Sequence, residues 1–243
     1  MKKLTTSLLI VLCAAVFIYC GWQLGDYWLE YKHAKDFISS LSDRVVTEIS
    51  DAPLENAPVS VDFDTLLSEC PDIVGWLWCE GTDINYPVVR AEDNSYYLHR
   101  LTDGSYSANG TLFLDYRNGG DISDKVSVIY GHHMKTGAMF GKLDNYKEQE
   151  YYDEHPVMYL LTPEGSYKLE LCAGINTDAD ADIYDPYLSD GKRLTLVLAA
   201  IEDSYFNADL DISSEDRFVI LSTCDYDYYN SRFIVIAKLV PCA

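Results

Sequence analysis

Hydrophobic and polar positions fall into three textures along the 243 residues. The first is a long apolar run. After Met1, Lys2 and Lys3, an uncharged and largely apolar stretch that includes TTSLLIVLCAAVFIYCGWQL reaches Leu24. Its length is that of a membrane-spanning helix. The second texture is helical: Leu24, Trp28, Tyr31, Ile38, Leu41, Val45 and Ile49 recur at steps of three, four and seven and share one helix face. This helix is expected to continue from the apolar run and to dock on the main domain. SDAPLENAPVS (50–60), with two prolines, reads as a linker. The third texture starts at Val61. Asp64 is expected to cap a short helix ending near Pro71. Beyond it the chain turns β-like, in short runs rich in Val, Ile, Tyr and Phe separated by turn residues. They are IVGWLWC, INYPVV, GTLFLDY, KVSVIYG, PVMYLLT, SYKLELCAGI, RFVILSTC and RFIVIAKLV. About eight strands at this spacing predict a closed barrel or a sandwich. GKRLTLVLAAIEDSYF (191–206) interrupts them and is expected to be a helix inserted between two late strands.

Charge narrows the function. Thirty-nine acids against eighteen bases give a formal net charge of −21. Such a surface repels phosphate backbones, which excludes nucleic acid as a partner. It also repels anionic headgroups, so attachment to a membrane must be hydrophobic. Lys2 and Lys3 precede the apolar run, and Asp26 and Glu30 follow it, which puts the N-terminus in the cytoplasm and the rest outside. A cleaved signal peptide is the rival. Trp22 is bulky inside any small-x-small cleavage window, and Tyr19 is too large before Cys20 for a lipoprotein signal. The expectation is an uncleaved signal-anchor at 1–24, an amphipathic helix and linker at 25–60, and one main domain at 61–243.

Seven cysteines leave at least one unpaired thiol. Cys13 and Cys20 lie in the apolar run; Cys70, Cys79, Cys172, Cys224 and Cys242 are scattered without metal-ligand spacing. Cys224 ends one apolar run and Arg232 starts the next. Antiparallel pairing of the two runs puts these residues almost opposite each other, with Cβ atoms about 4.5–5.5 Å apart. A guanidinium at that range favours the thiolate, or stabilises an oxyanion formed when the thiolate attacks a carbonyl. The same pattern also describes a buried strand-end cysteine beside a surface arginine, and the hairpin alone does not choose. A nucleophilic cysteine needs a proton donor for its leaving group, normally histidine. His33 sits on the amphipathic helix, and His99 and His155 sit in turn-like contexts that read as structural. His132 and His133 end KVSVIYGHHM at a strand tip. Neighbours on an extended chain point to opposite faces, so the two do not share one metal, and parity does not say which faces the site. The order His, Cys, Arg, with a strand-borne cysteine near the C-terminus, excludes papain-like and caspase-like arrangements.

These residues resemble a sortase, and specifically a class B sortase. The signature is STC at a strand end, an arginine eight residues on, and the YGHHM tip. DFDTLLSECPDIVGWL, GTDINYPVV, DNSYYL, GTLFLDYRN and GAMFGKLDNY resemble class B segments in the same order, from about Val61 to Leu239. The resemblance implies a mostly β fold: an eight-stranded sortase-type barrel behind N-terminal helices and a single transmembrane helix. It implies Cys224 as nucleophile, His132, which comes directly after Gly131, as proton-transfer partner, and Arg232 as stabiliser of the substrate carbonyl. Ser222, Thr223 and Tyr226 are the expected substrate-binding residues beside the nucleophile. The family's insertion between its sixth and seventh strands falls at about 175–216, where the helical interruption lies, and helps form the substrate groove. Cys79 stands where an aliphatic residue is usual, so it is a candidate second accessible thiol.

The resemblance thus implies a membrane-anchored cysteine transpeptidase of the Gram-positive surface. It would cleave a C-terminal sorting motif of secreted proteins through a thioester and pass them to an amine of a cell-wall peptidoglycan precursor. Its partners are those proteins, that amine and, through the N-terminal helix, the cell membrane. The chemistry needs no cofactor and no metal. DADAD (178–182) lacks the glycine and glutamate of a calcium loop, since Ile183 and Ser189 stand in their places, and reads as a solvated acidic loop. A surface cysteine protease that uses water in the second step, and a non-catalytic anchored binding domain, are the other readings.

Overall fold

The computed structural model describes residues 2–50, 53, 55–224 and 230–242; of residues 2–6, 8, 9 and Cys224 it describes the backbone alone. The first element is one continuous helix, α1 (Lys2–Val45), with no break at Gly21 or Gly25. The predicted apolar face docks only in its last third. Ala34, Ile38, Leu41 and Val45 are buried, whereas Leu24 and Trp28 are exposed. The helix also ends before Ile49. Val46–Glu48 forms a strand, β1, that pairs antiparallel with β2 (Val59–Val61). The stretch expected as helix end and linker is therefore a small hairpin: the β-branched Val45-Val46-Thr47 run favours extension, and a partner strand is at hand.

The next helix, α2, spans Phe63–Glu69. Its cap is Asp62, not Asp64. The Asp62 carboxylate accepts from Thr65 N at 3.1 Å and Thr65 Oγ1 at 2.7 Å. A capping side chain must precede the first helical residue to reach the third amide, and Asp64 is already inside the first turn.

Eight strands then close a barrel: β3 (Ile73–Trp78), β4 (Asn85–Val89), β5 (Leu112–Leu114), β6 (Val126–Tyr130), β7 (Val157–Thr162), β8 (Gly165–Asp178), β9 (Phe218–Cys224) and β10 (Ser231–Pro241). Each arises from one predicted run. The order around the barrel is β10-β8-β7-β3-β4-β5-β6-β9. Pairs β4–β5 and β6–β9 are parallel. Between β6 and β7 lies a short helix, α3 (Gln149–Glu154), and between β8 and β9 the insertion carries α4 (Asp190–Glu202).

The strands read as nearly continuous apolar runs because both faces are covered. On β9 and β10, Val219, Leu221, Phe233, Val235 and Ala237 fill the barrel. Their neighbours Phe218, Ile220, Ile234 and Ile236 point outward and meet Ile183, Val197 and Ala200 of the insertion. A third cluster joins Leu41 and Val45 of α1 and Leu66 of α2 to Trp76, Val89 and Phe113 on the outer barrel wall. The insertion is thus packed on the outer face of β9 and β10.

Candidate active site

The β9–β10 register makes Cys224 and Arg232 direct Cα partners. The arginine's other flank pairs with Thr177 of β8. Its Nη1 donates to the Ser231 carbonyl at 2.9 Å, which holds the guanidinium near its own strand end.

β6 runs parallel to β9 and ends two residues earlier, with Tyr130 beside Ser222. Gly131 continues the ladder by donating to the Ser222 carbonyl at 3.1 Å. A Cβ at Gly131 would lie 2.5 Å from a Leu112 methyl and 2.6 Å from the Phe140 ring, so glycine alone lets the chain pass to the histidines. The two histidines then diverge. His133 Nε2 pairs with Asp144 Oδ2 at 3.1 Å. His132 turns into a cleft of about 250 Å³ that it shares with Ser222, Thr223 and Arg232. The parity left open by the sequence falls to His132.

Leu98 and His99, in a single 3-10 turn at Tyr97–His99, wall His132. The turn is anchored from below, where Tyr97 OH donates to Asp72 Oδ2 at 2.7 Å. His132 Nε2 lies 2.7 Å from the Leu98 carbonyl. A carbonyl only accepts, so this nitrogen carries the proton and leaves Nδ1 as the basic atom of the neutral ring. The His99 ring stacks on His132 with centroids 5.4 Å apart. Burial pushes the His132 pKa below the ordinary histidine value; the Leu98 contact opposes this and His99 adds to it. The surroundings of His132 thus disfavour its imidazolium.

Four of the six expected site residues line the cleft: His132, Arg232, Ser222 and Thr223, although Thr223 lies on the barrel-interior side of β9 with its partner Phe233. Cys224 joins them by its backbone register, and Tyr226 lies outside the described residues. Thr223 Oγ1 is buried and meets no hydrogen-bond partner among the described residues. Asn94, Tyr130 and Tyr184 line the cleft too, and no pattern in the sequence singles them out. His99, whose turn-like context reads as structural, stands against His132. The segment DNSYYL carries a resemblance but no spacing that reveals a turn folded over a distant strand tip.

Cys79 is not an accessible thiol. It is 2% exposed, with its Sγ 3.7 Å from the Val157 carbonyl, and burial pushes its pKa up. Position 79 accepts cysteine because a thiol there behaves as a small core hydrophobe. DADAD forms the end of β8 and a turn in which Asp182 pairs with Lys192 at 2.7 Å. A larger cleft of about 370 Å³, between α1 and the barrel, contains neither cysteine nor histidine.

The chain is similar to known proteins over most of its length. A family model for the sortase domain matches residues 77–240. Sortase B of Listeria monocytogenes is 30% identical over 242 residues, covering 98% of each chain. The crystal structure of sortase B from B. anthracis in complex with AAEK1 superposes with a TM-score of 0.75 at 31% identity, covering 88% of this chain and 99% of that one. A Staphylococcus aureus sortase B–substrate complex superposes with a TM-score of 0.70 at 28% identity, covering 74% and 85%.

Proposed function

The chain belongs to the sortase family of cysteine transpeptidases, and from that premise we propose that it is a single-pass membrane enzyme with an extracellular barrel. It cleaves a C-terminal sorting motif in secreted proteins and transfers them to an amino group of a peptidoglycan precursor. The observation that carries this reading is the opposed Cys224–Arg232 pair at the rim of the cleft that holds His132.

In this reading neutral His132 takes the thiol proton of Cys224, and the thiolate so formed attacks the carbonyl carbon of the scissile peptide bond. Arg232 donates to the oxygen as it becomes an oxyanion. His132, as imidazolium, protonates the departing amine, and collapse of the tetrahedral species leaves a thioester on Cys224. The neutral imidazole then accepts a proton from the incoming amine, which attacks the thioester and releases the thiolate. Ser222, Thr223 and Tyr226 receive the substrate, with Ser222 on the same strand face as Cys224. Residues 1–24 form the span, 25–60 the junction and 61–243 the catalytic barrel. Two observations support the span. The segment Ile10–Val45 contains a window long and apolar enough to cross a membrane, and that window buries nothing against the barrel.

The test is mass spectrometry of the intact enzyme after incubation with a library of sorting-motif peptides. A thioester adduct mapped to Cys224, displaced by wall-peptide amines to give an amide, is the expected result. An adduct at another residue refutes the assignment of the nucleophile. Free acid as the sole product at saturating amine refutes transfer to the wall.

A further inference from the structure

A hydrogen-bonded chain, buried at Asp115 and partly exposed at Arg117, links the insertion to the barrel beside the cleft. Asp115, just after β5, is 1% exposed. Arg117 grips its carboxylate with two bonds, Nε to Oδ1 at 3.0 Å and Nη2 to Oδ2 at 2.8 Å. The Arg117 backbone N adds a third bond, to Oδ1, at 2.9 Å, and Tyr130 OH a fourth, to Oδ2, at 3.0 Å. Burial acts against the charge, but these donors outweigh it and hold the carboxyl below the usual aspartate range. The same Arg117 Nη2 donates to the Tyr184 carbonyl at 3.0 Å. Tyr184 belongs to the insertion, and its hydroxyl shares a 3.0 Å hydrogen bond with Ser222 Oγ, two residues before Cys224. Tyr187 OH closes the chain on the Arg117 carbonyl at 3.2 Å.

An ion pair whose arginine side chain is 33% exposed is weak as a stabiliser, because solvent screens it. What it supplies here is geometry. A planar fork held by a carboxylate can present a further N–H to a carbonyl at a fixed angle, which an ammonium cannot do. We propose that Arg117, locked by Asp115, is a positioning residue that seats the insertion's Tyr184 on Ser222 and so sets the width of the substrate cleft. The inference rests on the reading of that cleft as the peptide groove. It assigns Arg117 to binding, since none of its bonds reaches His132 or Arg232.

The test uses the full chain in detergent and the library peptide that gives the most acyl-enzyme. Arg117→Ala should raise KM about tenfold, the size of one well-placed hydrogen bond, with kcat within about twofold of wild type. Backbone hydrogen exchange over 183–188 should accelerate, while alkylation of Cys224 by iodoacetamide keeps its rate. Tyr184→Phe should raise KM similarly, and Arg117→Ala should add little on that background, because the two act in series. Arg117→Lys serves if the alanine variant does not fold; it keeps the charge, loses the fork, and should still raise KM. An unchanged KM, a loss confined to kcat, or full additivity overturns the proposal. If no library peptide reacts, the groove reading fails by itself. The exchange measurement then still decides whether Arg117 fixes Tyr184: unchanged exchange over 183–188 rejects it.

Discussion

Cys224 and Arg232 face each other as Cα partners across the β9–β10 pair, at the end of the barrel where β6 delivers His132. The strand pairing itself, rather than a flexible loop, sets their separation. Both residues sit on the pleat of a closed barrel, so the guanidinium is placed before substrate arrives. Lysine at 232 would keep the charge but lose the planar donors. Arg232→Lys is expected to lower kcat by about 10²–10³-fold, the usual cost of removing an oxyanion donor. Steady-state kinetics with a cleaved peptide check this; near-native kcat would reduce the arginine to a structural role.

The thiols should separate by environment. Cys70, Cys79 and Cys172 are buried, and burial raises all three pKa values, that of Cys172 to about 12. A thiol so placed is rarely a thiolate at neutral pH and is out of reach of reagents. Iodoacetamide on the folded chain, mapped by peptide mass spectrometry, should modify Cys224 well before these three. Cys224→Ala should abolish peptide cleavage and leave the melting temperature nearly unchanged. Modification of Cys79 at the rate of Cys224 would contradict its burial against β7.

His132 should titrate below the ordinary value of 6.5, because burial disfavours its imidazolium. A native pKa depressed below the unfolded one gives stability that is present above the unfolded pKa and lost as pH falls through the native pKa. Acidification below about 6.5 should therefore weaken the fold through this residue. His99→Asn removes the neighbouring ring whose charge lowers the His132 pKa further. The His132 midpoint, followed by NMR of labelled imidazoles, should move up in that variant. A midpoint above 6.5 in the wild type would contradict the site's burial.

How much of this the sequence reveals depends on how local the cause is. All eight barrel strands are legible, because each is a run of β-branched and aromatic residues bounded by turn signals. The Cys224–Arg232 opposition is legible for the same reason: two adjacent strands joined by a short connection fix their own register. The choice between His132 and His133 is not, since it depends on Leu98 and Asp144, which are distant in sequence from the doublet or lie on another element. Tyr184 and Arg117 meet only because the insertion folds back over β5, and neither residue's neighbours signal that contact. The Asp62 cap is a different case. Two aspartates flank Phe63, and only the backbone's entry into the helix decides between them. The bury-or-expose pattern of α1 is also set from outside, because the barrel first touches the helix at Glu30 and buries it from Ala34 onward.

That partial cover makes α1 a helix of two functions that truncation should separate. Residues 10–29 are exposed, Leu24, Trp28 and Leu29 among them. From Glu30 onward it is tied in. The Glu30 carboxylate accepts from Ala108 N at 2.6 Å, and Ser42 Oγ accepts from Asn85 Nδ2 at 2.7 Å. Ile38, Leu41 and Val45 are buried against the barrel and α2. Removing residues 1–25 deletes none of these contacts, so residues 26–243 should melt like the full chain and leave the membrane fraction for solution. Removing residues 1–45 strips the three large apolar side chains and uncovers the surfaces beneath. At roughly 1.5–3 kcal/mol for each buried side chain, the loss is on the order of 5 kcal/mol. A typical domain holds only about 5–15 kcal/mol in reserve, so residues 46–243 should be marginally folded. Thermal melts of the two truncations, with fractionation of the full chain and of 26–243, read both functions at once. Equal melting temperatures for 26–243 and 46–243 would show that the docked third contributes nothing. Recovery of the full chain in the soluble fraction would remove the membrane span.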